Sequence, residues 1–139
     1  MSVEPDCIFC KIVAGEIPCF KLYEDAHTLA FMDINPAATG HCLAVIKNHW
    51  PNVFAIGEDA LAHVARTAQR VAHAVDAALA PEGLNLVQAN GPGAAQSVQH
   101  LHVHILPRSA EDGLLLNWPM KAGDMDAIGA VAEKIRACL

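Results

Sequence analysis

The sequence has little positive charge and no long hydrophobic run. Its 139 residues include 9 Lys and Arg against 15 Asp and Glu, which gives a formal net charge of −6 with the histidines neutral. The basic residues are scattered, so broad electrostatic binding to a nucleic-acid polymer is not expected. No apolar run is long enough to cross a bilayer and no secretory leader is recognisable, so we expect neither a membrane anchor nor export.

The sequence also lacks an even set of cysteines and a cluster of carboxylates. It has five cysteines without secretory context, from which we expect a reducing, cytoplasmic compartment and no disulfide framework. No group of acidic residues suited to magnesium is evident. The length is enough for one domain with a real core but too short for two.

The most informative stretch is 96–107, where His100, His102 and His104 alternate with branched aliphatic residues. This alternation is typical of a half-buried β-strand with all three imidazoles on one face. At a rise of ~3.3 Å per residue His100 and His104 lie about 13 Å apart. Zn–N bonds are only about 2.0–2.1 Å long, so one ion cannot bind all three histidines. At least one therefore has another role, and nucleophilic or acid–base chemistry suits imidazole.

A Cys-x-x-Cys motif, Cys7 and Cys10, lies in a predicted short helix that ends at Gly15. The two cysteines are expected on one helical face. Such a pair is typical of half a zinc site or of a redox couple, and two buried core thiols are the plain alternative. The redox form usually follows a strand, and none is predicted before Cys7. A zinc site would need two further ligands, for which histidines are available.

The remaining pattern predicts an α+β fold with an antiparallel sheet of about five strands, one long helix and a C-terminal helix. Apolar residues at three- and four-residue spacing mark the long helix, which is bounded by Glu58 and by Pro81 with Gly83. Besides the histidine strand, strands are predicted over 20–25, 28–33, 41–47 and 83–90, and helices over 58–79 and 125–139.

Several separated motifs resemble the histidine triad (HIT) family, in particular its bacterial Hit/Hint-like branch. The segment His100-Leu101-His102-Val103-His104-Ile105-Leu106 resembles the signature His-φ-His-φ-His-φ-φ, where φ is apolar. Further matching segments are Ile8-Phe9-x-Lys11-Ile12, Gly15-Glu16-Ile17-Pro18, Phe31-x-Asp33-Ile34-Asn35-Pro36, Gly40-His41 and Pro107-Arg108. The resemblance implies a single HIT domain over 1–139, in which the tail 109–139 is less typical, and a homodimer whose sheets join into one.

The resemblance also implies the reaction and its catalytic residues. The family are nucleotide hydrolases and transferases that act through a nucleotidylated histidine. His102 would attack the α-phosphorus and His104 would donate a hydrogen bond to the phosphate. His41 would face the same cluster, and Ser97 would contact the phosphate or the leaving group.

The same resemblance implies the nucleotide and metal sites. The substrate would be a purine nucleotide of the AMP or GMP type. Asp33 would bind the ribose hydroxyls, backbone N–H groups near Gln96 would hold a phosphate oxygen, and Asn90 would lie near the phosphate. Apolar side chains would wall the base pocket: Ile8, Phe9, Ile12, Phe31, Ile34 and Leu43. A closed structural zinc site would use four ligands: Cys7, Cys10, His49 and His100. No organic cofactor or magnesium ion is expected.

Two details of the active site follow from the chemistry. A nucleophilic imidazole must be unprotonated at the attacking nitrogen, so an acceptor must hold the proton on the other nitrogen. For His102 we predict a backbone carbonyl, because no spare carboxylate is evident nearby. Ala95 stands where many family members have glycine, and alanine would be strained there if the position needs a positive φ.

Three functional interpretations remain open. We favour hydrolysis of nucleoside phosphoramidates, such as an adenylated amine. Hydrolysis of dinucleoside polyphosphates would use the same catalytic residues, and the difference would depend on the segment after Arg108, including Trp118. A nucleotide-binding regulatory protein with weak activity belongs to another class, and the complete histidine set argues against it. A metal-dependent hydrolase is a poorer fourth option.

Overall fold

The computed structural model describes all 139 residues and contains three helices and a five-stranded antiparallel sheet. In chain order the elements are α1 (Ile8–Val13), β1 (Lys21–Glu24), β2 (Thr28–Met32), β3 (Cys42–Ile46), α2 (Glu58–Leu79), β4 (Gly83–Val87), β5 (His102–Arg108) and α3 (Met125–Arg136). A short 3₁₀ turn spans Pro92–Ala94. The strand order is β1-β2-β3-β5-β4, so the α+β antiparallel fold expected from the sequence is confirmed.

Strand β3 is the centre of the sheet, and all five of its residues are buried. It pairs with β2 on one side and with β5 on the other, and Leu43 lies opposite both Phe31 and His104. Side chains alternate between two faces along each strand. Cys42, Ala44 and Ile46 therefore pack beneath α2, whereas the face that carries Leu43 receives α1.

Helix α2 has the predicted boundaries. Glu58 and Asp59 lie in its first turn, where negative charge favours the positive end of the helix dipole. Its buried stripe is Val64, Thr67, Ala68, Val71 and Val75, and it packs on β2, β3 and β5. None of the helices combines the length and apolar character needed to span a membrane.

The histidine strand begins later than the sequence predicts. We expected His100 inside the strand, but β5 starts at His102. The backbone N–H of Leu101 donates to the carbonyl of Trp50 at 2.6 Å, and the carbonyl of His100 accepts from the His102 ring. Both groups are therefore unavailable to the sheet ladder. The alternation itself persists, because Leu101 lies in the core beneath α2 while His100 faces the two cysteines.

The tail from Ser109 to Asp124 is irregular, as predicted, and leads into α3. The Asp124 side chain caps α3 by accepting the N–H of Ala127 at 2.8 Å. No residue of α3 is buried. Its apolar stripe is exposed at Ile128, Val131 and Ile135.

Candidate active site and metal cluster

Four side chains with metal-binding atoms converge beside the start of β5. Cys7 and Cys10 come from the N terminus of α1, His49 from the loop after β3, and His100 from the residue pair before β5. Their ligand atoms all lie within 4.8 Å of one another. Cys10 Sγ lies 3.4 Å from His49 Nδ1 and 3.6 Å from His100 Nδ1, and Cys7 Sγ lies 3.4 Å from His100 Nδ1.

These distances suit a tetrahedral metal ion. Bond lengths of about 2.3 Å to sulfur and about 2.05 Å to nitrogen place neighbouring ligands of a tetrahedral Zn²⁺ about 3.6 Å apart. The Nε2–H of His100 donates to the Ile46 carbonyl at 2.6 Å, so its Nδ1 carries a free lone pair toward the cysteines. A second nitrogen anchored in this way is usual for metal-ligating histidines. The four residues could therefore hold a metal ion.

His102 is the first residue of β5, and it carries its proton on the other ring nitrogen from His100. Its Nδ1–H donates to the His100 carbonyl at 2.6 Å, which leaves Nε2 unprotonated and available for attack. The acceptor is the backbone carbonyl that the chemistry led us to expect. Burial lowers the pKa of His102, so the ring is neutral at physiological pH.

His104 and His41 form a directed hydrogen-bond chain. The backbone N–H of Ala37 donates to His41 Nδ1 at 3.0 Å, so a neutral His41 carries its proton on Nε2. His41 Nε2 lies 2.9 Å from His104 Nδ1 and therefore donates to it. His104 in turn carries its proton on Nε2, where it can be donated to a ligand. We call this chain from Ala37 through His41 to His104 the histidine relay.

Burial keeps the relay neutral. Desolvation lowers the pKa of His104 to about 4 and also lowers the pKa of His41. The ring centroids of His102 and His104 are 4.9 Å apart, and the two residues lie on the same face of β5. A neutral imidazole with an unprotonated Nε2 therefore lies beside a neutral imidazole with an N–H donor.

Asp33, His41 and His104 also place three potential metal ligands within 4.8 Å of one another. The hydrogen bonds favour a different role for them. Because Ala37 occupies the lone pair at His41 Nδ1, the ring would have to lose its only proton before Nε2 could bind a metal. Asp33 Oδ2 lies 3.5 Å from His41 Nε2, and Asp33 Oδ1 accepts the N–H of Asn35 at 2.8 Å. Asp33 therefore both caps the turn after β2 and faces the relay.

An apolar wall lies against His102. Phe9 packs edge-on against the His102 ring, with centroids 5.0 Å apart, and against Phe31 at 5.7 Å. Leu43 completes the buried group, and Ile12 is partly buried against it. Of the expected base-pocket residues, Ile8 and Ile34 differ from the others, since both are exposed and both lie outside the packed group.

Three other expected nucleotide contacts have different surroundings. Asn90 accepts the N–H of Val53 at 2.8 Å and exchanges hydrogen bonds with Gln88. The backbone N–H of Gln96 donates to the carbonyl of Gly91 at 3.2 Å, so this particular N–H is already used. Ser97 is exposed, and neither its hydroxyl nor its N–H has a partner within the chain.

Ala95 adopts the left-handed conformation at φ +57°, ψ +40°. The sequence raised this possibility, because glycine is common there in the family that the motifs resemble. A non-glycine residue in this region is strained by contact of its Cβ with the backbone. The strained residue lies five positions before His100, in the loop that leads to the histidines.

Two backbone groups at the site were not predicted from the sequence: the N–H of Ala37 and the carbonyl of Ile46. A backbone carbonyl was predicted for His102, although not that it belongs to His100. Each decides which nitrogen of an imidazole carries the proton. No residue type marks such a group, because every residue has a carbonyl and nearly every residue has an N–H.

Together, the antiparallel fold and this site define a domain with a buried histidine cluster and an adjoining Cys₂His₂ group. A family model described as the HIT domain matches residues 14–111. The chain belongs to the HIT family. The part of the tail beyond residue 111 lies outside the matched range.

Individual relatives agree with this assignment. The chain is 39% identical over 141 residues to adenosine 5'-monophosphoramidase HNT1 of Candida albicans, covering 98% of this chain and 93% of that protein. The crystal structure of a HIT family protein from Bacillus anthracis superposes with a TM-score of 0.90 at 36% identity, covering 97% of this chain and 98% of that one. A Zn-bound histidine triad family protein from Mycobacterium smegmatis superposes with a TM-score of 0.75 at 30% identity, covering 96% and 98%.

Proposed function

We propose that this protein hydrolyses nucleotides at the α-phosphate through a nucleotidyl-histidine intermediate, and that nucleoside phosphoramidates are its preferred substrates. The observation that carries the proposal is the hydrogen bond from His102 Nδ1 to the His100 carbonyl. It leaves a neutral imidazole with a free Nε2 next to the donor His104. The Candida relative named as an adenosine 5'-monophosphoramidase supports the choice of substrate.

The reaction has two displacements at phosphorus. His102 Nε2 attacks the α-phosphorus and forms a new P–N bond while the P–N bond to the leaving group breaks; the amine keeps that electron pair and takes up a proton from solvent. Water then attacks the phosphorus and loses a proton to solvent, the bond to Nε2 breaks, and His102 departs as the neutral imidazole. Two steps of this kind replace one more difficult displacement. The Nε2–H of His104, which the relay orients, stabilises charge on the phosphoryl oxygens in both steps.

The nucleotide is proposed to lie along the apolar wall. Its purine base would rest on the face formed by Phe9, Phe31 and Leu43, with Ile8, Ile12 and Ile34 completing the pocket once a base is present. Asp33 would accept hydrogen bonds from the ribose hydroxyls. The N–H and hydroxyl of Ser97, which have no partner within the chain, would contact the phosphate or the leaving group, with Gln96 and Asn90 holding that loop.

Zinc is the metal that we propose for Cys7, Cys10, His49 and His100. The group fits a closed structural site, in which all four positions are protein ligands. Binding there would join α1 to the ends of β3 and β5. The metal would thereby hold the His100 carbonyl in position beneath His102. It would affect catalysis only by fixing the hydrogen bond that orients His102.

The active form is proposed to be a homodimer with a continuous sheet. Strands β1 and β4 are the two edges of the sheet, and their backbone groups are free to pair with another strand. Apolar side chains such as Leu86 on β4 are half exposed in the single chain.

The test is the mass of the intact protein after brief mixing with adenosine phosphoramidate, for the wild type and for His102→Ala. An adenylylated species in the wild type alone supports covalent catalysis at His102, whereas an adduct that persists in the variant contradicts it. The same measurement with a dinucleoside polyphosphate decides the leaving group. The absence of both adduct and turnover with either substrate would favour a nucleotide-binding regulatory protein instead.

A further inference from the structure

A second cavity lies on the face of the sheet away from the histidines. It has a volume of about 430 Å³ and is lined by the C-terminal half of α2 and the ends of β1, β2 and β3. Nine of its eleven lining residues are hydrophobic. This volume is within the range of small-molecule sites, about 300–1,000 Å³. The cavity is therefore large enough to bind an apolar small molecule, and it lies apart from the histidine site.

One charged group borders this cavity. The Arg70 guanidinium lies over the Tyr23 ring, with its central carbon 4.7 Å from the ring centroid. Arg70 takes part in none of the five ion pairs of the chain, and it donates no side-chain hydrogen bond. This contact holds the guanidinium beside the cavity and leaves its N–H groups without an acceptor. An apolar cavity with a single unpaired cation at its border complements an apolar molecule that carries one negative charge.

The cavity shares its wall with the strand that supports the relay. Gly40 and Cys42 line it, and they are the neighbours of His41 in the chain. Gly40 is closely packed, since a Cβ at this position would lie 2.4 Å from Leu79 Cδ1. A molecule in the cavity would touch the residues on both sides of His41 from behind the sheet, without entering the nucleotide site.

We propose that this cavity is a binding site for a small anionic amphiphile: an aromatic or aliphatic body with one carboxylate, sulfonate or similar group. The body occupies the space between α2 and the sheet, and the anion accepts hydrogen bonds from Arg70. This assignment does not depend on the proposed hydrolase activity. It is a property of α2 and of the ends of β1, β2 and β3.

Two fluorescent probes of similar shape test the proposal: 8-anilinonaphthalene-1-sulfonate, which is anionic, and N-phenyl-1-naphthylamine, which is neutral. The wild type should bind both at one site. Arg70→Gln should weaken the anionic probe by at least about tenfold, since a charge-assisted contact is lost, and leave the neutral probe unchanged. Arg66→Gln, one turn earlier on the same helix and outside the lining of the cavity, is the matched control and should alter neither.

Filling the cavity gives a second, independent readout. Ala74→Trp and Ala78→Trp each place an indole in the lining, and either variant that keeps the wild-type circular dichroism spectrum should lose both probes. Equal effects of Arg70→Gln on the two probes would overturn the proposed role of the cation. Undiminished probe binding by a folded Trp variant would overturn the site itself and assign the probes to the exposed stripe of α3.

Discussion

Two groups of side chains with metal-binding atoms lie within one small region: the Cys₂His₂ group, and Asp33 with His41 and His104 of the relay. Their hydrogen bonds suit the first group to binding a metal and the second to donating a proton in a hydrogen bond. In the Cys₂His₂ group the backbone carbonyl of Ile46 accepts a hydrogen bond from the Nε2–H of His100, which leaves Nδ1 free for a cation. In the relay a backbone N–H, that of Ala37, occupies His41 Nδ1 and keeps the proton on Nε2 as a donor. The residue types are similar, so the backbone group behind each imidazole is what separates a ligand from a proton donor.

The largest expected effect comes from breaking the metal group. Cys10→Ser removes one of the four proposed metal ligands. Loss of a structural metal lowers the free energy of unfolding, because metal binding contributes to folding. We expect the melting temperature to fall by about 10 °C or more, with turnover lost as the folded fraction falls. Thermal unfolding followed by circular dichroism, together with metal content, measures this.

Cys138→Ser is the matched control, because Cys138 is an exposed cysteine in the tail. It should keep both the metal and the melting temperature of the wild type. If Cys10→Ser bound a full equivalent of metal and melted at the wild-type temperature, the four residues would not form the metal site.

Breaking the relay should affect turnover more than folding. His41→Ala removes the donor to His104 Nδ1, so His104 can hold its proton on either nitrogen. We expect kcat to fall on the order of 10²-fold, as for loss of a positioned acid–base group, with the metal retained. His41→Gln keeps an N–H donor near the Nε2 position and should recover part of the loss. Equal kcat values for the Ala and Gln variants would argue against a donor role for His41.

A smaller change tests the backbone group itself. Ala37→Pro removes the N–H that donates to His41 Nδ1, and loss of one hydrogen bond is expected to lower kcat by up to about tenfold. Because His41 could then release Nε2 for a metal, Ni²⁺ should inhibit this variant at lower concentrations than the wild type. Ala38→Pro is the control, since the Ala38 N–H has no acceptor in the structure. Identical Ni²⁺ sensitivity of the two proline variants would contradict the assigned role of Ala37.

The pH dependence of stability should show the smallest effect. Burial lowers the pKa of His104 to about 4, whereas an unfolded histidine titrates near its ordinary value of about 6.5. The unfolded chain therefore binds a proton that the folded chain does not as pH falls between these values, so folding free energy is lost across that window. The slope for one histidine is at most about 1.4 kcal/mol per pH unit.

Urea unfolding of the wild type and of His104→Gln at pH 7.5, 6.5 and 5.5 measures this contribution. Both proteins keep the Cys₂His₂ group, so proton competition for the metal cancels in the difference. The variant should lose less stability than the wild type as the pH falls. Parallel losses would show that His104 is not buried in its neutral form.

The sequence predicted those features that repeat along the chain or that depend on residue type. The 3.6-residue period and the acidic first turn located α2 from Glu58 to Leu79, and the alternation after Gln96 placed Val103 and Ile105 in the core. It also grouped Cys7 and Cys10 with His49 and His100 through a family resemblance, and the structure brings these four together.

The features that the sequence did not predict arise from backbone geometry. The start of β5 at His102 depends on the carbonyl of Trp50. It accepts a hydrogen bond from the N–H of Leu101, so this N–H does not pair with a neighbouring strand. The proton positions on His41 and His100 depend on the N–H of Ala37 and the carbonyl of Ile46, and no side chain marks either group. The exposure of α3 could not be predicted either, because an amphipathic pattern does not show which surface the apolar stripe packs against.

The most direct measurement is the tautomer of each buried histidine, from long-range ¹H–¹⁵N correlation spectra of the metal-loaded wild type. We expect the proton on Nε2 of His41, His104 and His100, and on Nδ1 of His102. A proton on Nδ1 of His41 would contradict the donor role of Ala37 and remove the distinction between the two groups. A proton on Nε2 of His102 would leave no nucleophile facing the substrate.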